Sequence, residues 1–410
     1  MVISVKRCNF ACVCYIRMKR KIIFALVFAV LVAACTGRKT KKEDRVTINQ
    51  VVASATTDDM FLLVGTYTSE GGSQGIYLYK FDAETGKSDS LGLAEAVNPS
   101  YLVVSPDEKF VYAVGENGDG NSTAVAFAFD KENGALRYLN SSNTESPGPC
   151  FIEIDKAGKS VLTANYGGGS ISVFQVKDDG SLSSADPVIG FEGSGPDTMR
   201  QEGPHLHSVR FSPDGRFLFA ADLGTDKVYR YNAIGSVFEG QPVLSRASLK
   251  EFPVPAGTGP RHFDFHPNGN YFYLLGELSG DVIVYDYDEG DLKEKQVIAT
   301  DSVEGLRGSA DIHVSPDGKY LYASNRLKAD GIAIFSIDPE NGTLARAGYQ
   351  PTGRHPRNFA ITPNGKWLLV ANRDDNKIQV FTVNNETGLL TDTNQDINLG
   401  KPVCLKFAAM

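Results

Sequence analysis

The chain has 410 residues, of which 42% are hydrophobic and 22% are charged, and its formal net charge is −8 at pH 7. This composition is ordinary for a soluble globular protein. The acidic balance and the lack of a basic cluster with interleaved aromatic residues argue against a nucleic-acid partner.

The N-terminus is typical of a bacterial export signal. Lys19-Arg20-Lys21 precedes an apolar run at 22–34, which is too short for a confident membrane-spanning helix. The run ends at Val32-Ala33-Ala34-Cys35, which resembles a lipobox, so we expect Cys35 to be lipidated. The alternative is an ordinary signal peptide with a chance cysteine. The prediction is an exported protein, lipid-anchored in the cell envelope on the periplasmic side or at the outer membrane.

Three further features concern the start of the chain, its linker and its remaining cysteines. Met18 is the more natural start, which would leave the cysteines before it without meaning as a metal motif. A polar segment at 36–58 is predicted to be a flexible linker. Cys150 and Cys404 are interpreted as two buried thiols rather than a disulfide.

One motif recurs along the rest of the chain, and it predicts a β-propeller. Each copy joins a turn related to Pro-Asp-Gly to a strand of apolar residues. The copies are SPDEKFVYAVGE (105–116), DKAGKSVLTANY (155–166), SPDGRFLFAADL (212–223), HPNGNYFYLLGE (266–277), SPDGKYLYASNR (315–326) and TPNGKWLLVANR (362–373). A period of about 50 residues built from short strands and turns is typical of propeller blades.

The number of strands predicts seven blades. The predicted innermost strands are 98–104, 148–154, 206–211, 259–265, 308–314, 355–361 and 401–407. The predicted outer hairpins are 75–91, 122–139, 169–182, 227–248, 280–293, 331–346 and 376–391. Segment 401–407 has no strand after it and 61–67 has none before it. We therefore predict an all-β, seven-bladed propeller over 59–410, closed by pairing 401–407 with 61–67 and 75–91.

Two columns of residues break the repeat at one face, where the start of each innermost strand lies beside the end of its antiparallel neighbour. The first column is Ser100, Cys150, His207, Arg261, Ala310, Arg357 and Val403. The second column is Glu116, Tyr166, Leu223, Glu277, Arg326, Arg373 and Tyr67. Structural positions of a repeat should resemble one another, whereas these vary and are rich in charge. We interpret them as a candidate site.

The residue types favour an anionic substrate. Arginine presents a planar charged fork that matches a carboxylate or phosphate, so Arg261, Arg326 and Arg357 are candidate clamps. His207 or Glu277 would take a proton from water. The structural alternative is that some of these charges only pair with one another across blades.

Other polar residues receive separate interpretations. A long loop at about 183–204, carrying Arg200, is predicted to form a lid or rim together with His205. Of the remaining histidines, we interpret His262, His266 and His313 as structural. We interpret His355 as a residue of the rim. The G-x-S-x-G match at 71–75 links two strands, so it lacks the context of a nucleophile elbow. No zinc motif or nucleotide loop is present, and we predict no cofactor and no metal. The alternative is a divalent cation at Glu116 and Glu277.

From Phe61 to the C-terminus the chain resembles the seven-bladed lactonase family, which includes bacterial propeller-type 6-phosphogluconolactonase and fungal carboxy-muconate lactonising enzyme. The matching segments are GTYT (65–68), NPSYL (98–102), GPCFI (148–152), ANYGGGSISVF (164–174), GPHLHSVRFSPDG (203–215), GTGPRHFDFHPNG (257–269) and ANRDDNKIQVF (371–381). The resemblance implies a lactone hydrolase with no cofactor. The implied catalytic residues are His207, Arg261, Glu277 and Arg326. We expect substrate binding by Glu116, His205, Arg357 and Arg373.

The substrate class has several alternatives. 6-Phosphogluconolactone is a cytoplasmic intermediate, so an unphosphorylated sugar-acid lactone suits the predicted export better. The same groups would also serve a muconate-type cycloisomerase, in which Arg binds the carboxylate and Glu277 or His207 moves the proton. A non-catalytic binding propeller is the alternative from another class. We expect a monomer that meets a small anionic or sugar-acid lactone and touches the membrane only through its lipid.

Overall fold

The computed structural model describes residues 59–118, 120–233, 244, 246–305 and 307–410. The predicted export signal with Cys35 and the predicted linker lie outside the described residues, so these predictions stay untested.

In the described part of the chain, seven antiparallel sheets, six of four strands and one of five, are arranged as the blades of a propeller, and the prediction of an all-β, seven-bladed fold is confirmed. In chain order the strands are β1 (Met60–Thr66), β2 (Gly75–Phe81), β3 (Ser88–Glu95); β4 (Leu102–Val104), β5 (Phe110–Gly115), β6 (Thr123–Asp130), β7 (Ala135–Asn143); β8 (Pro149–Ile154), β9 (Ser160–Asn165), β10 (Ser170–Gln175), β11 (Val188–Gly190); β12 (Leu206–Phe211), β13 (Phe217–Asp222), β14 (Lys227–Asn232), β15 (Lys250–Pro253); β16 (Pro260–Phe265), β17 (Tyr271–Gly276), β18 (Asp281–Asp288), β19 (Asp291–Ala299); β20 (Ile312–Val314), β21 (Tyr320–Asn325), β22 (Gly331–Ile337), β23 (Leu344–Pro351); β24 (Pro356–Ile361), β25 (Trp367–Asn372), β26 (Lys377–Val383), β27 (Leu390–Asp392), β28 (Ile397–Asn398); and β29 (Pro402–Ala409). Semicolons separate the blades, except that β29 belongs to the first blade with β1–β3, and β28 is an extra short strand on β26.

The ring closes as predicted, because β29 pairs with β1 to complete the first blade in the order β29-β1-β2-β3. The seam to the seventh blade is packed by aromatic rings. Trp367 lies edge-on to Phe81, with ring centroids 6.1 Å apart. Its indole N–H donates a hydrogen bond of 2.9 Å to the carbonyl of Ala83 in the first blade. Closure therefore joins the two ends of the domain through both the strand ladder and the core.

Neighbouring blades are held together by a repeated contact between an aromatic ring and a turn glycine. Gly342 has φ of +73°, and a Cβ there would lie 2.4 Å from the ring of Tyr271 in the preceding blade. The Tyr273 hydroxyl donates a hydrogen bond of 3.0 Å to the Gly342 carbonyl. The same arrangement recurs where Tyr320 meets Gly388. Only glycine combines this backbone conformation with such a close approach.

Two predicted outer hairpins end too early, at 169–182 and 227–248. In the third blade Lys177–Ser181 closes a tight turn between bridged Val176 and Leu182, and the fourth strand, β11, begins only at Val188. In the fourth blade β15 starts at Lys250, after the short 3-10 turn Arg246–Ser248. Both strands fall later because the chain inserts extra turns after the third strand of the blade.

Three further observations bear on the sequence predictions. The innermost strands β4 and β20 are shorter than predicted, since only 102–104 and 312–314 join the ladder. Cys150 and Cys404 are buried free thiols, as predicted. No helix among the residues that the structure describes is long and apolar enough to cross a membrane.

Candidate active site

Five of the seven first-column residues lie at an irregularity in the strand ladder, a β-bulge. In β12, Leu206 pairs with Asp222 and Ser208 pairs with Ala221, so His207 has no partner in the ladder. The same irregularity removes four other column residues from their ladders: Cys150, Arg261, Arg357 and Val403. A bulge redirects a side chain away from the regular alternation of the strand. Five blades thus turn a variable residue out of the ladder at the equivalent position.

The two columns surround one polar cavity of about 260 Å³. Its lining residues are Tyr67, Glu116, Cys150, Tyr166, Arg200, His207, Glu277, Arg326 and Arg357. Eight of the nine belong to the columns, and Arg200 comes from the loop after β11. Three arginines against two glutamates give the lining a formal charge of +1 (3 − 2) when His207 is neutral.

Glu277, at the end of β17, is the centre of the charge network. Its Oε1 accepts a hydrogen bond of 2.7 Å from Arg200. Its Oε2 lies 2.7 Å from Nε of Arg261 and 3.3 Å from Nη2 of Arg326. Burial by itself would raise the pKa of this carboxyl, but the charges of Arg326 and Arg261 and the hydrogen bond from Arg200 outweigh it and hold the pKa well below its usual range. Glu277 is therefore a carboxylate whose lone pairs are already engaged.

His207 is the better candidate for a proton acceptor. Its Nε2 lies 3.9 Å from Oε2 of Glu277, and its Nδ1 lies 3.6 Å from Sγ of Cys150. Burial holds the pKa of His207 well below its ordinary value, and the charge of Arg261 lowers it further. The imidazole is thus neutral near pH 7, and a proton gained there would be close to a carboxylate.

The other carboxylate of the cavity, Glu116, is held by hydroxyl groups. Tyr67 donates to it at 3.0 and 3.1 Å, and Ser100 donates to its Oε2 in a short hydrogen bond. Nη2 of Arg357 lies 3.8 Å from Oε2 of Glu116, and its guanidinium group covers the Tyr67 ring at 5.4 Å. Arg357 has no closer carboxylate in this network, so its charge is available to a ligand in the cavity.

Arg326 also presents a positive charge to the cavity. Its Nε donates a hydrogen bond of 2.6 Å to the Gly308 carbonyl, which fixes the plane of the guanidinium group. Burial lowers the pKa of Arg326 to about 9, although Glu277 opposes the shift. The side chain is still a cation near neutral pH, and it is desolvated, which strengthens its interaction with an anion.

Arg261 lies one layer deeper than predicted. It is 1% exposed and lines not the main cavity but a second one of about 10 Å³, together with His207, His262 and Arg357. Its Nη1 donates to the carbonyl of Ala310 and lies 3.3 Å from Nε2 of His262. Arg261 therefore supports Glu277 from below.

A buried carboxylate, that of Asp311, continues this network between the buried His262 and the partly buried His313. Nδ1 of His262 lies 2.7 Å from Oδ1 of Asp311, and Nε2 of His313 lies 3.0 Å from Oδ2 of the same residue. The bulge at Arg261 explains why His262, although adjacent in sequence, also reaches the channel. The structural interpretation of His262 and His313 fits these contacts.

Two predicted binding residues do not line the cavity. His205 stacks on Tyr166, with ring centroids 4.4 Å apart, and supports that ring from behind. Arg373 is engaged with Asp374 at 2.7 Å and lies 3.2 Å from Nδ1 of His355. His355 is half-buried between Arg326 and Arg373, and their charges add to burial in lowering its pKa to about 3.

Sequence reasoning assigned no catalytic or binding role to four lining residues that it had placed in the columns or the loop: Tyr67, Cys150, Tyr166 and Arg200. Burial raises the pKa of Cys150, which keeps it a neutral thiol and speaks against a nucleophile. No cluster of three potential ligand side chains arranged for a metal ion occurs among the described residues. The prediction of no cofactor stays a prediction.

Comparisons with known proteins agree with the fold. A family model described as "Lactonase, 7-bladed beta-propeller" matches residues 61–407. A 6-phosphogluconolactonase of Formosa agariphila is 38% identical over 341 residues, which cover 82% of this chain and 96% of that protein. A crystal structure from Bacteroides fragilis is 52% identical with a TM-score of 0.83, covering 87% of this chain and 99% of that one. The periplasmic gluconolactonase of Pseudomonas aeruginosa is 34% identical with a TM-score of 0.79, covering 86% and 99%.

Proposed function

The chain belongs to the seven-bladed β-propeller lactonase family, and we propose that it hydrolyses a sugar-acid lactone in the cavity between Glu277 and Glu116. The observation that carries the proposal is the position of the neutral His207 beside Glu277, in a lining with a formal charge of +1. The names of the relatives, a 6-phosphogluconolactonase and a gluconolactonase, support the same substrate class.

The proposed reaction adds water across the ester bond of the lactone. His207 accepts a proton from water as the water oxygen bonds to the carbonyl carbon. The carbonyl oxygen becomes an oxyanion, which Arg326 and Arg357 stabilise. The bond from the carbonyl carbon to the ring oxygen then breaks, and the imidazolium of His207 returns its proton to that oxygen as it leaves as a hydroxyl. The product is the open hydroxy acid.

Glu277 is assigned an electrostatic role rather than that of the base. Three guanidinium groups already engage its oxygens, so a proton on Glu277 would have to displace one of them. The carboxylate instead stabilises the imidazolium that forms on His207, 3.9 Å away. It also keeps Arg261 and Arg326 in place before the substrate arrives.

The cellular setting belongs to the same proposal. A lipid on Cys35 would hold the propeller at the cell envelope, so its substrate would be met outside the inner membrane. An unphosphorylated sugar-acid lactone suits that location. We propose a monomer, because each site is built within one ring of blades and needs no second chain.

A substrate panel tests the proposal. Acid release by the purified protein is followed by pH-stat titration on glucono-δ-lactone, 6-phosphogluconolactone, a galactonolactone and a muconolactone, with spontaneous hydrolysis subtracted. We expect at least one sugar-acid lactone to be opened. Activity on the muconolactone alone, with formation of the unsaturated acid, would favour the cycloisomerase. No turnover by a folded protein that still binds gluconate would favour a binding propeller.

A further inference from the structure

Arg200 differs from the other charged groups of the cavity in origin and in exposure. It is the one lining residue outside the two columns, and it lies on the loop between β11 and β12. Its side chain is 39% exposed, against 8% for Arg326 and 13% for Arg357. Arg200 is therefore the cavity arginine that is most accessible to an incoming ligand.

The loop that carries Arg200 is anchored in a blade whose second-column residue is apolar. Leu223 is fully buried, and its carbonyl accepts a hydrogen bond of 2.8 Å from Nε2 of Gln201. Gln201 is itself fully buried, and Asp197 caps the turn through the backbone N–H groups of Met199 and Arg200. The loop thus supplies a charge in a blade whose second-column residue has none, from an anchored backbone through a partly exposed side chain.

The contacts of Arg200 leave its charge replaceable. Its Nη2 donates a hydrogen bond of 2.7 Å to Oε1 of Glu277 and one of 3.5 Å to the hydroxyl of Tyr166. Oε2 of Glu277 keeps its two buried partners, Arg261 and Arg326, without help from Arg200. Moving the Arg200 guanidinium group away from Glu277 would therefore not leave an uncompensated buried carboxylate, which is the usual obstacle to breaking such a pair.

We propose that Arg200 determines specificity by exchanging Glu277 for an anionic substituent of the substrate. A lactone that carries a phosphate or a second carboxylate at the end remote from its carbonyl would draw Arg200 into a charge-assisted, bidentate contact. A neutral lactone would leave Arg200 on Glu277. The inference deepens the proposed function and rests on it for the identity of the ligand.

The exchange also changes the chemistry at Glu277. Once Arg200 has turned to the ligand, Oε1 of Glu277 is free to accept a hydrogen bond from a substrate hydroxyl. Binding of the remote anion would then help to orient the lactone over His207, so its binding energy would appear partly in kcat as well as in KM.

The test compares substrates that differ in their remote group. Wild type, Arg200→Gln and Arg200→Lys are assayed on glucono-δ-lactone, which is neutral, on 6-phosphogluconolactone and on a glucarolactone. We expect Arg200→Gln to lower kcat/KM about tenfold or more for the anionic substrates and less than about threefold for the neutral one, since a lost charged contact costs roughly 1.4 kcal/mol or more. Loss on the phosphate but not on the carboxylate would identify the phosphate as the recognised group.

The matched control is Arg216→Gln. Arg216 is also a partly exposed arginine in ion pairs, with Asp214 and Glu289, but it lies on the turn at the other end of β12 and β13. It should leave all three rates unchanged. An equal effect of Arg200→Gln on charged and neutral lactones, or no effect on either, would overturn the proposal.

A binding experiment distinguishes the failure of this inference from the failure of the proposed function. The products 6-phosphogluconate and gluconate are titrated calorimetrically into wild type and Arg200→Gln. Tighter binding of 6-phosphogluconate that is lost in the variant supports the role of Arg200 even if no lactone is hydrolysed. If wild type hydrolyses lactones but binds the two products equally well, the proposed role of Arg200 is refuted and the proposed function is not.

Discussion

Nε of Arg261 lies 2.7 Å from Oε2 of Glu277, and both side chains are buried, at 1% and 8% exposure. The pair joins two strands of one blade, and a second guanidinium group, that of Arg326, contacts the same carboxylate oxygen from the next blade. These paired charges are buried, so removal of one of them leaves the charges of the others without compensation. The pair therefore sets the geometry of the site.

Glu277→Gln should therefore reduce both stability and turnover. The amide cannot balance Arg261 and Arg326, so we expect the free energy of unfolding to fall by about 3–5 kcal/mol, the cost of breaking a buried pair from one side. Urea denaturation and lactone hydrolysis measured on the same sample test this. A stable and fully active variant would show that the carboxylate charge is dispensable.

His207→Gln should act on turnover far more than on folding. Loss of the proton acceptor is expected to lower kcat about 10²- to 10⁴-fold, with a smaller change in KM. Because the glutamine keeps a polar group in the bulge, the melting temperature should stay within a few degrees of wild type. If the variant keeps the kcat of wild type, a group other than His207 is the base.

The raised pKa of His313 predicts a loss of stability at alkaline pH. Burial disfavours the charged form of His313, but Asp311 and Asp264 overcome it and raise its pKa to about 9. The folded pKa lies above the ordinary value of about 6.5. The stabilisation is therefore complete below about pH 6.5 and is lost as the pH rises through 9. Melting temperatures between pH 6 and 10 should fall in wild type and fall less in His313→Gln. Equal slopes would contradict the assignment.

Gly342→Ala should destabilise the contact between neighbouring blades. Its Cβ would lie 2.4 Å from the Tyr271 ring at a φ of +73°. Gly269 is the matched control, since it has φ of +74° and no atom within 4 Å of an added Cβ. We expect about 1–3 kcal/mol more loss for Gly342→Ala than for Gly269→Ala, because only the first adds overpacking to backbone strain. Equal losses in denaturant titrations would assign the effect to strain alone.

The repeat made most of the fold predictable, because each blade must satisfy the same pattern of strands and turns. The closing pair of β29 and β1 followed from a count of unpartnered strands. The outer strands β11 and β15 were placed too early, since nothing local in the sequence marks where an inserted turn rejoins a ladder.

The lining of the candidate cavity was predictable in part, while the roles of its residues stay predictions. Aligning the blades found His207 and Glu277 through their departure from the repeat, without knowledge of the bulge that aims His207. The depth of Arg261 and the reach of Arg200 were not predictable, because they depend on which of several arginines one carboxylate binds. Arg200 lies on a loop outside the repeat, so no equivalent position in the other blades could be aligned with it.

The central claim is that the cavity around Glu277 opens a lactone. The most direct measurement is the initial rate of acid release on the best sugar-acid lactone by wild type, Arg326→Gln and the control Arg216→Gln. We predict rates above the spontaneous one for wild type and control, and a fall of about 10²- to 10³-fold for Arg326→Gln through loss of oxyanion stabilisation. A folded wild type that accelerates no lactone, or an Arg326→Gln variant that hydrolyses as fast as wild type, would contradict the account.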